Sequence, residues 1–224
     1  MTYLLLSEKK WHKKLFAELQ TAIPAKWVLI DDKACFTEEK LKKLRPDKIF
    51  IPHWSYLIPE AIYEKYECIV FHMTDLPFGR GGSPLQNLIV RGFDFTKVSA
   101  LRVEEGLDTG DIYLKKDLSL HGTAEEIFLR ASNVIGQMIL EIIEEELKPL
   151  SQKGEPVLFA RRKPEQGNLA GLESIDQIFD YIRMLDADGY PKAFIEVGNF
   201  RLEFSRASLK HDESILADVR IIKK

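Results

Sequence analysis

From residue 3 to residue 71, short apolar runs alternate with segments of helical periodicity, and this alternation restricts the fold more than any other feature. Residues 3–6, 27–30, 48–51 and 68–71 are the apolar runs. They show little polar alternation, as expected for strands covered on both faces. Between them, Trp11, Leu15, Phe16, Leu19 and Ile23 recur at helical spacing. Residues 37–44 read as a short amphipathic helix started by Thr37 and Glu39, and Pro59 opens a helix to about Tyr66. Strand and helix in this order predict an α/β fold: a Rossmann-like, mostly parallel open sheet with helices on both faces. Such sheets bind ligands outside the carboxyl ends of their strands. His53, His72 and the loop of Asp108 all fall at or after predicted strand ends.

Further on, Ser83-Pro84 reads as an N-cap and first-turn proline of a helix that stops near Gly92. Residues 98–103 and 112–114 read as strands. Thr123 and Glu126 form a capping-box pattern, opening a long helix whose stripe includes Ile127, Phe128, Ala131, Ile135, Met138 and Ile142. After a polar joint at residues 151–154 the pattern changes. Arg161-Arg162-Lys163-Pro164 is basic, Ser174 and Gln177 start a helix, and Gly198-Asn199 reads as a hairpin turn between strands 194–197 and 200–204. Residues 215–222 read as a last strand. The expected organisation is a catalytic domain, residues 1–154, followed by a small α+β C-terminal appendage, residues 155–224.

The net charge of −3 supplies no basic field, so a nucleic-acid partner is not expected. The apolar runs are too short to span a bilayer, and no membrane association is expected. The N-terminus lacks a basic lead and a small-residue cleavage site, so it reads as a first strand rather than a signal peptide. Cys35 and Cys68 form no framework and read as reduced thiols of a cytoplasmic protein. No metal-ligand spacing is visible among the cysteines and histidines.

The turn after the first strand, Leu6-Ser7-Glu8-Lys9-Lys10, lacks the glycines of a dinucleotide cradle. The glycines of residues 79–82 come from the wrong strand, and no P-loop lysine follows them. Chemistry concentrates instead in the run from His72 to Pro84. An imidazole at a strand end can exchange a proton near neutral pH. Arg80 can bind a phosphate or carboxylate, or can be a solvated loop residue. Asp108 can orient His72, or simply form a turn with Gly106 and Gly110. His53-Trp54-Ser55-Tyr56 can stack on a flat heterocycle or pack a rim. The basic run at residues 161–163 reads as a solvated face that can also meet a phosphate. His12, His121 and His211 are assigned no role.

The run His72-Met73-Thr74-Asp75-Leu76-Pro77, followed by Arg80-Gly81 and Pro84, resembles the signature of the formyl-tetrahydrofolate-dependent formyltransferases, Asn-x-His-x-Ser-Leu-Leu-Pro then Arg-Gly-x-x-Pro. The family's Asp-x-Gly loop falls on Asp108-Thr109-Gly110, and its folate segment on residues 52–58. The tail, with Arg161-Arg162-Lys163-Pro164 and Tyr190-Pro191-Lys192-Ala193-Phe194, resembles the C-terminal region of sugar-nucleotide N-formyltransferases and the formylation domains of nonribosomal peptide synthetases. One departure stands out. The family's asparagine, two residues before the histidine, is Val70 here. His53, Thr74 or a backbone N–H is then the replacement, with His53 the first choice.

The resemblance implies transfer of a formyl group from formyl-tetrahydrofolate to an amine, with no metal. His72 would stabilise the oxyanion or take the amine proton, and Asp108 would hold its tautomer and favour its cationic form. Trp54, Ser55, Tyr56, Ile58, Thr109, Gly110 and Asp111 would hold the folate. Thr74, Arg80, Gly81, Gly82 and Ser83 would hold the acceptor. The short appendage and negative charge point to an amino-sugar nucleotide as acceptor. Methionyl-tRNA, a carrier-bound aminoacyl group, or a non-catalytic folate- or nucleotide-binding role are the alternatives. The resemblance also implies a homodimer as one possible assembly.

Overall fold

The structure, a computed structural model, describes residues 1–224. In chain order the elements are β1 (Thr2–Ser7), α1 (His12–Ala22), β2 (Lys26–Ile30), α2 (Glu38–Leu44), β3 (Lys48–His53), α3 (Glu60–Tyr63), β4 (Cys68–His72), β5 (Phe78–Gly81), α4 (Pro84–Ile89), β6 (Phe95–Arg102), β7 (Ile112–Ser119), α5 (Ala124–Glu144), β8 (Val157–Phe159), α6 (Ile175–Arg183), β9 (Ala193–Val197), β10 (Phe200–Leu209) and β11 (Ile215–Lys223). They fall into two units: Met1–Gly81, Thr96–Leu118 and Leu129–Leu158 in one, and Gly82–Phe95, Ser119–Phe128 and Phe159–Lys224 in the other.

The first unit carries a six-stranded sheet of order β2-β1-β3-β4-β6-β7. β1 pairs parallel with β2 and β3, β3 pairs parallel with β4, and β6 runs antiparallel to β4. The sheet is therefore mostly parallel, as the strand–helix alternation predicts. Successive side chains on a strand face opposite ways. Leu4, Leu6, Ile49 and Ile51 pack in one cluster with Leu41 of α2 and Ile62 of α3. Their neighbours Tyr3, Leu5 and Phe50 are buried too, and the Tyr3 ring meets Trp27 and Phe50 with centroids 5.0 and 6.0 Å apart. Burial on both faces is why β1 tolerates three consecutive leucines. Each fully buried leucine or isoleucine contributes roughly 1.5–3 kcal/mol, enough for these strands to fix the sheet register.

The second unit carries an antiparallel sheet of order β11-β10-β9. β9 and β10 turn at Gly198 and Asn199, where the hairpin was expected. α6 packs on β10, and the hydroxyl of Ser174 accepts the Gln177 N–H at 3.2 Å. The buried Arg183 of α6 donates to Asp180 and to the carbonyls of Leu120 and Gly122, so its charge is not left unpaired. The capping box expected at the start of α5 is present: Glu126 accepts from the Thr123 N–H at 2.8 Å, and the Thr123 hydroxyl accepts the Glu126 N–H at 3.3 Å.

Several local expectations differ from the structure. α3 closes after Tyr63, and Lys65 and Tyr66 only add turns onto the Ile62 carbonyl. β7 extends to Ser119, well past the apolar start, at the edge of the sheet beside β6. The segment around Arg80 is strand β5, paired with β8, rather than an open loop. Ser83 sits at the N-cap of α4 in a left-handed conformation (φ 51) and does not cap it. Its hydroxyl accepts the Arg162 N–H at 3.1 Å instead. No helix is long and apolar enough to cross a membrane.

Candidate active site

β3 and β4 end side by side. Their register pairs Ile51 with Val70; His53 and His72 are the last residues of the two strands, and a register shift in β3 ahead of His53 takes it out of step with that pairing. His72 is buried, with 8% of its side chain exposed, and Asp108 is nearly so at 11%. The Nδ1 of His72 lies 3.5 Å from the Asp108 carboxylate. On the other side of the ring, Nε2 lies 2.8 Å from the Gly79 carbonyl oxygen. A carbonyl only accepts, so Nε2 carries the proton in that contact.

Asp108 sits in the loop between β6 and β7, which closes where the Arg102 N–H donates to the Asp111 carbonyl at 2.8 Å. Its own backbone is left-handed (φ 55), a conformation aspartate tolerates better than most residues. Its carboxylate also accepts the Gly81 N–H at 2.9 Å, so one oxygen serves both the imidazole and β5. Gly110 fits only as glycine: a Cβ there would lie 1.9 Å from the Arg102 carbonyl oxygen. The chain bends back so closely at that point that any side chain would push the loop off β6.

Arg80 is held by Gln152, whose amide oxygen accepts from Nε at 3.2 Å and Nη2 at 2.7 Å. The amide nitrogen of Gln152 donates to the Asp108 carbonyl at 2.9 Å and the Gly110 carbonyl at 2.8 Å. The polar joint at residues 151–154 is therefore part of this site. A single glutamine among polar neighbours carries no sequence signal of that kind.

His53 is half-buried, and Trp11 meets it edge-on at 6.3 Å. The same indole meets His12 at 5.9 Å, and the buried Ser7 hydroxyl lies 2.6 Å from His12 Nδ1. His12, assigned no role from the sequence, is thus a buried, bonded group: α1 turns it inward beside β1, although lysines surround it in the chain. Burial pushes His12 down to about 3, helped by the neighbouring His53 and Lys9. Burial, with Lys9, does the same to His53, which is also pushed down to about 3. Both rings are neutral at neutral pH, so His53 can donate one hydrogen bond but cannot act there as a cation.

Trp54 packs against Phe36 and Tyr56 with centroids 6.0 and 5.5 Å apart, and Lys33 Nζ stands 3.9 Å from the Tyr56 ring centre. Tyr56 and Leu57 are exposed, at 43% and 81%, and Ser55 is exposed beside them, while Ile58 leans on the core. This aromatic and apolar surface fits a flat heterocycle at the end of β3. Thr109 and Asp111 flank Gly110, and the Thr109 hydroxyl donates to the Glu105 carbonyl at 2.6 Å. Thr74 is fully buried; its carbonyl accepts from Ser99 at 2.7 Å, which makes it a wall of the site rather than an open contact. In the second unit, Gly82 lies so close to Arg161 that a Cβ would stand 2.6 Å from that residue's Cβ. Val70 lies on the His72 face of β4 and packs, half-buried, against the core.

Comparisons with known proteins now bear on this arrangement. The formyl transferase model matches residues 31–142, and the model described as the methionyl-tRNA formyltransferase C-terminal domain matches residues 164–222. The solved structure of a methionyl-tRNA formyltransferase from Clostridium thermocellum is 50% identical, with a TM-score of 0.97 over 100% of both chains. The curated methionyl-tRNA formyltransferase of Rickettsia massiliae is 33% identical over 150 residues, covering 64% of this chain and 50% of that protein. The chain thus spans about half the length of that curated relative. HypX from Aquifex aeolicus, solved in complex with tetrahydrofolic acid, shares the fold, with a TM-score of 0.74 at 19% identity over 92% of this chain and 37% of that one. These relatives overturn the expectation of an amino-sugar nucleotide partner to the exclusion of nucleic acid. Net charge and appendage size, on which it rested, average over the whole surface and are blind to how an acceptor is recognised.

Proposed function

The chain belongs to the formyl transferase family, whose members transfer a formyl group from formyl-tetrahydrofolate, and we propose that its acceptor is the amine of methionyl-tRNA. The observation that carries this reading is the full-length, 50% identical likeness to the methionyl-tRNA formyltransferase from Clostridium thermocellum. The His72–Asp108 pair at the end of β4 supplies the chemistry.

Formyl-tetrahydrofolate supplies the formyl group. Trp54, Tyr56 and Ile58 hold its flat ring at the end of β3, with Ser55 at the rim and Thr109, Gly110 and Asp111 closing from the β6–β7 loop. His72 takes the proton that the attacking amine loses, or donates to the formyl oxygen as that oxygen gains charge. Asp108 holds the imidazole in register. His53, which ends the neighbouring strand β3 and is neutral, is the candidate for the part of the family asparagine missing at Val70, and it would do so by donating an N–H to the same oxygen. Arg80, Gly81, Gly82 and Ser83 meet the acceptor, with Thr74 behind them.

The test is incubation with formyl-tetrahydrofolate and, in separate reactions, methionyl-tRNA, free methionine and amino-sugar nucleotides, read by mass. A formyl gain on methionyl-tRNA alone supports the reading. A gain on a small acceptor with none on methionyl-tRNA overturns it.

A further inference from the structure

We propose that Gln152 is a positioning residue of the transfer reaction: its amide ties the Asp108 loop to Arg80 and so sets the His72–Asp108 geometry. The inference rests on the site reading above. It goes beyond that reading by assigning a function to a residue outside both family-matched loops.

Three observations carry it. First, Gln152 uses both ends of its amide. The oxygen takes two Arg80 N–H groups, and the nitrogen gives both of its hydrogens, to the Asp108 and Gly110 carbonyls. Only a primary amide does this; a carboxylate lacks the donors, and an ammonium lacks the acceptor. Second, one of those carbonyls belongs to Asp108 itself, whose left-handed backbone persists only if its surroundings fix it. The other belongs to Gly110, the point of closest approach to Arg102. The two bonds therefore hold the ends of the three-residue segment that aims the carboxylate. Third, that carboxylate touches both His72 and the Gly81 N–H. A shift of the loop is passed directly to the imidazole and to β5.

The neutral oxygen also has a consequence for Arg80. It orients the guanidinium without cancelling its charge, so Arg80 stays available to an anionic group. A glutamate in the same place would neutralise Arg80 and set its oxygens against two carbonyls.

The experiment compares the wild-type chain with Gln152→Met and Gln152→Glu. Methionine fills nearly the same space without hydrogen bonds, so a packing role survives the change and a positioning role does not. For Gln152→Met the expected result is a fall in kcat of roughly 100-fold, the scale of a misplacement near 1 Å, with KM for formyl-tetrahydrofolate and the melting temperature little changed. Gln152→Glu is expected to fall further, with KM for the acceptor raised. Amide hydrogen exchange gives a readout independent of activity. The Gly81 amide and the peptide over residues 106–111 should lose protection in Gln152→Met while the strands keep theirs. Wild-type kcat and an unchanged Gly81 amide in Gln152→Met would overturn the proposal. If the wild-type protein transfers formyl to no acceptor, the functional reading fails, and the exchange measurement still decides whether Gln152 holds the loop.

Discussion

His72 Nε2 lies 2.8 Å from the Gly79 carbonyl oxygen, so the imidazole already holds an oxygen of the kind a formyl group presents. The ring's other nitrogen faces Asp108. For His72 to reach the formyl oxygen through Nε2, the Gly79 carbonyl must give way. Binding a non-transferring folate analogue is expected to move the His72 Nε2–H resonance together with the amides of β5. A resonance unmoved at saturation would show that Nε2 does not meet the donor.

Gly110 has no room for a side chain against the Arg102 carbonyl. Gly110→Ala is expected to cost roughly 1–3 kcal/mol by overpacking, and to lower transfer far more than its stability loss explains. Urea unfolding alongside a rate assay checks both. Gly171 has nothing within 4 Å of an added Cβ but has a positive φ (+117) that Gly110 lacks, so Gly171→Ala shows the cost of backbone strain alone, against which the cost of the Gly110 clash is read.

If His53 replaces the missing asparagine, His53→Phe keeps a ring beside Trp11 but removes the N–H. A loss of about 10²–10³ in kcat is expected, the scale of one oxyanion donor. Adding Val70→Asn to that variant should restore part of it, because position 70 shares the His72 face of β4. Full activity in His53→Phe removes His53 from the mechanism.

The buried histidines make stability depend on pH in a definite direction. His12 is held at about 3 in the fold, below the ordinary value of 6.5. The unfolded chain therefore binds a proton, below 6.5, that the folded chain refuses. The stability this group contributes is full above that value and is lost as pH falls toward 3. The slope is about 1.4 kcal/mol per pH unit inside that window. His53 adds in the same sense, less strongly because its side chain is partly open to solvent. Urea midpoints at pH 7.5 and pH 5 should differ less in His12→Gln than in the wild type. An equal difference in both would contradict the buried, neutral His12.

Much of this was legible in the residues. The apolar runs located all four of the first strands because strands buried on both faces need no partner to be recognised. Thr123 with Glu126, Ser174 with Gln177, and Gly198-Asn199 are local devices, readable within a few residues. The His72 to Pro84 run and the Asp108 loop were legible by resemblance, and the structure brings them together. What stayed hidden depends on contacts across long chain separations. Gln152 reaches Arg80 and Asp108 from a segment that reads as a joint. Ser83 turns from capping its own helix to binding Arg162. His12 looks solvated by its lysine neighbours until α1 is seen to place it against Ser7. The expectation against a nucleic-acid partner, which the relatives overturn, rested on net charge, a property with no geometry.

The most direct measurement is single-turnover transfer of a labelled formyl group from formyl-tetrahydrofolate to methionyl-tRNA by the wild type, His72→Ala and Asp108→Ala, with folate affinity measured in parallel. The expected result is transfer by the wild type and a loss of roughly 10²–10⁴ in rate for His72→Ala, with folate still bound. Asp108→Ala should fall similarly. Transfer at the wild-type rate in both variants would contradict the assignment of His72 and Asp108 as the site of the chemistry.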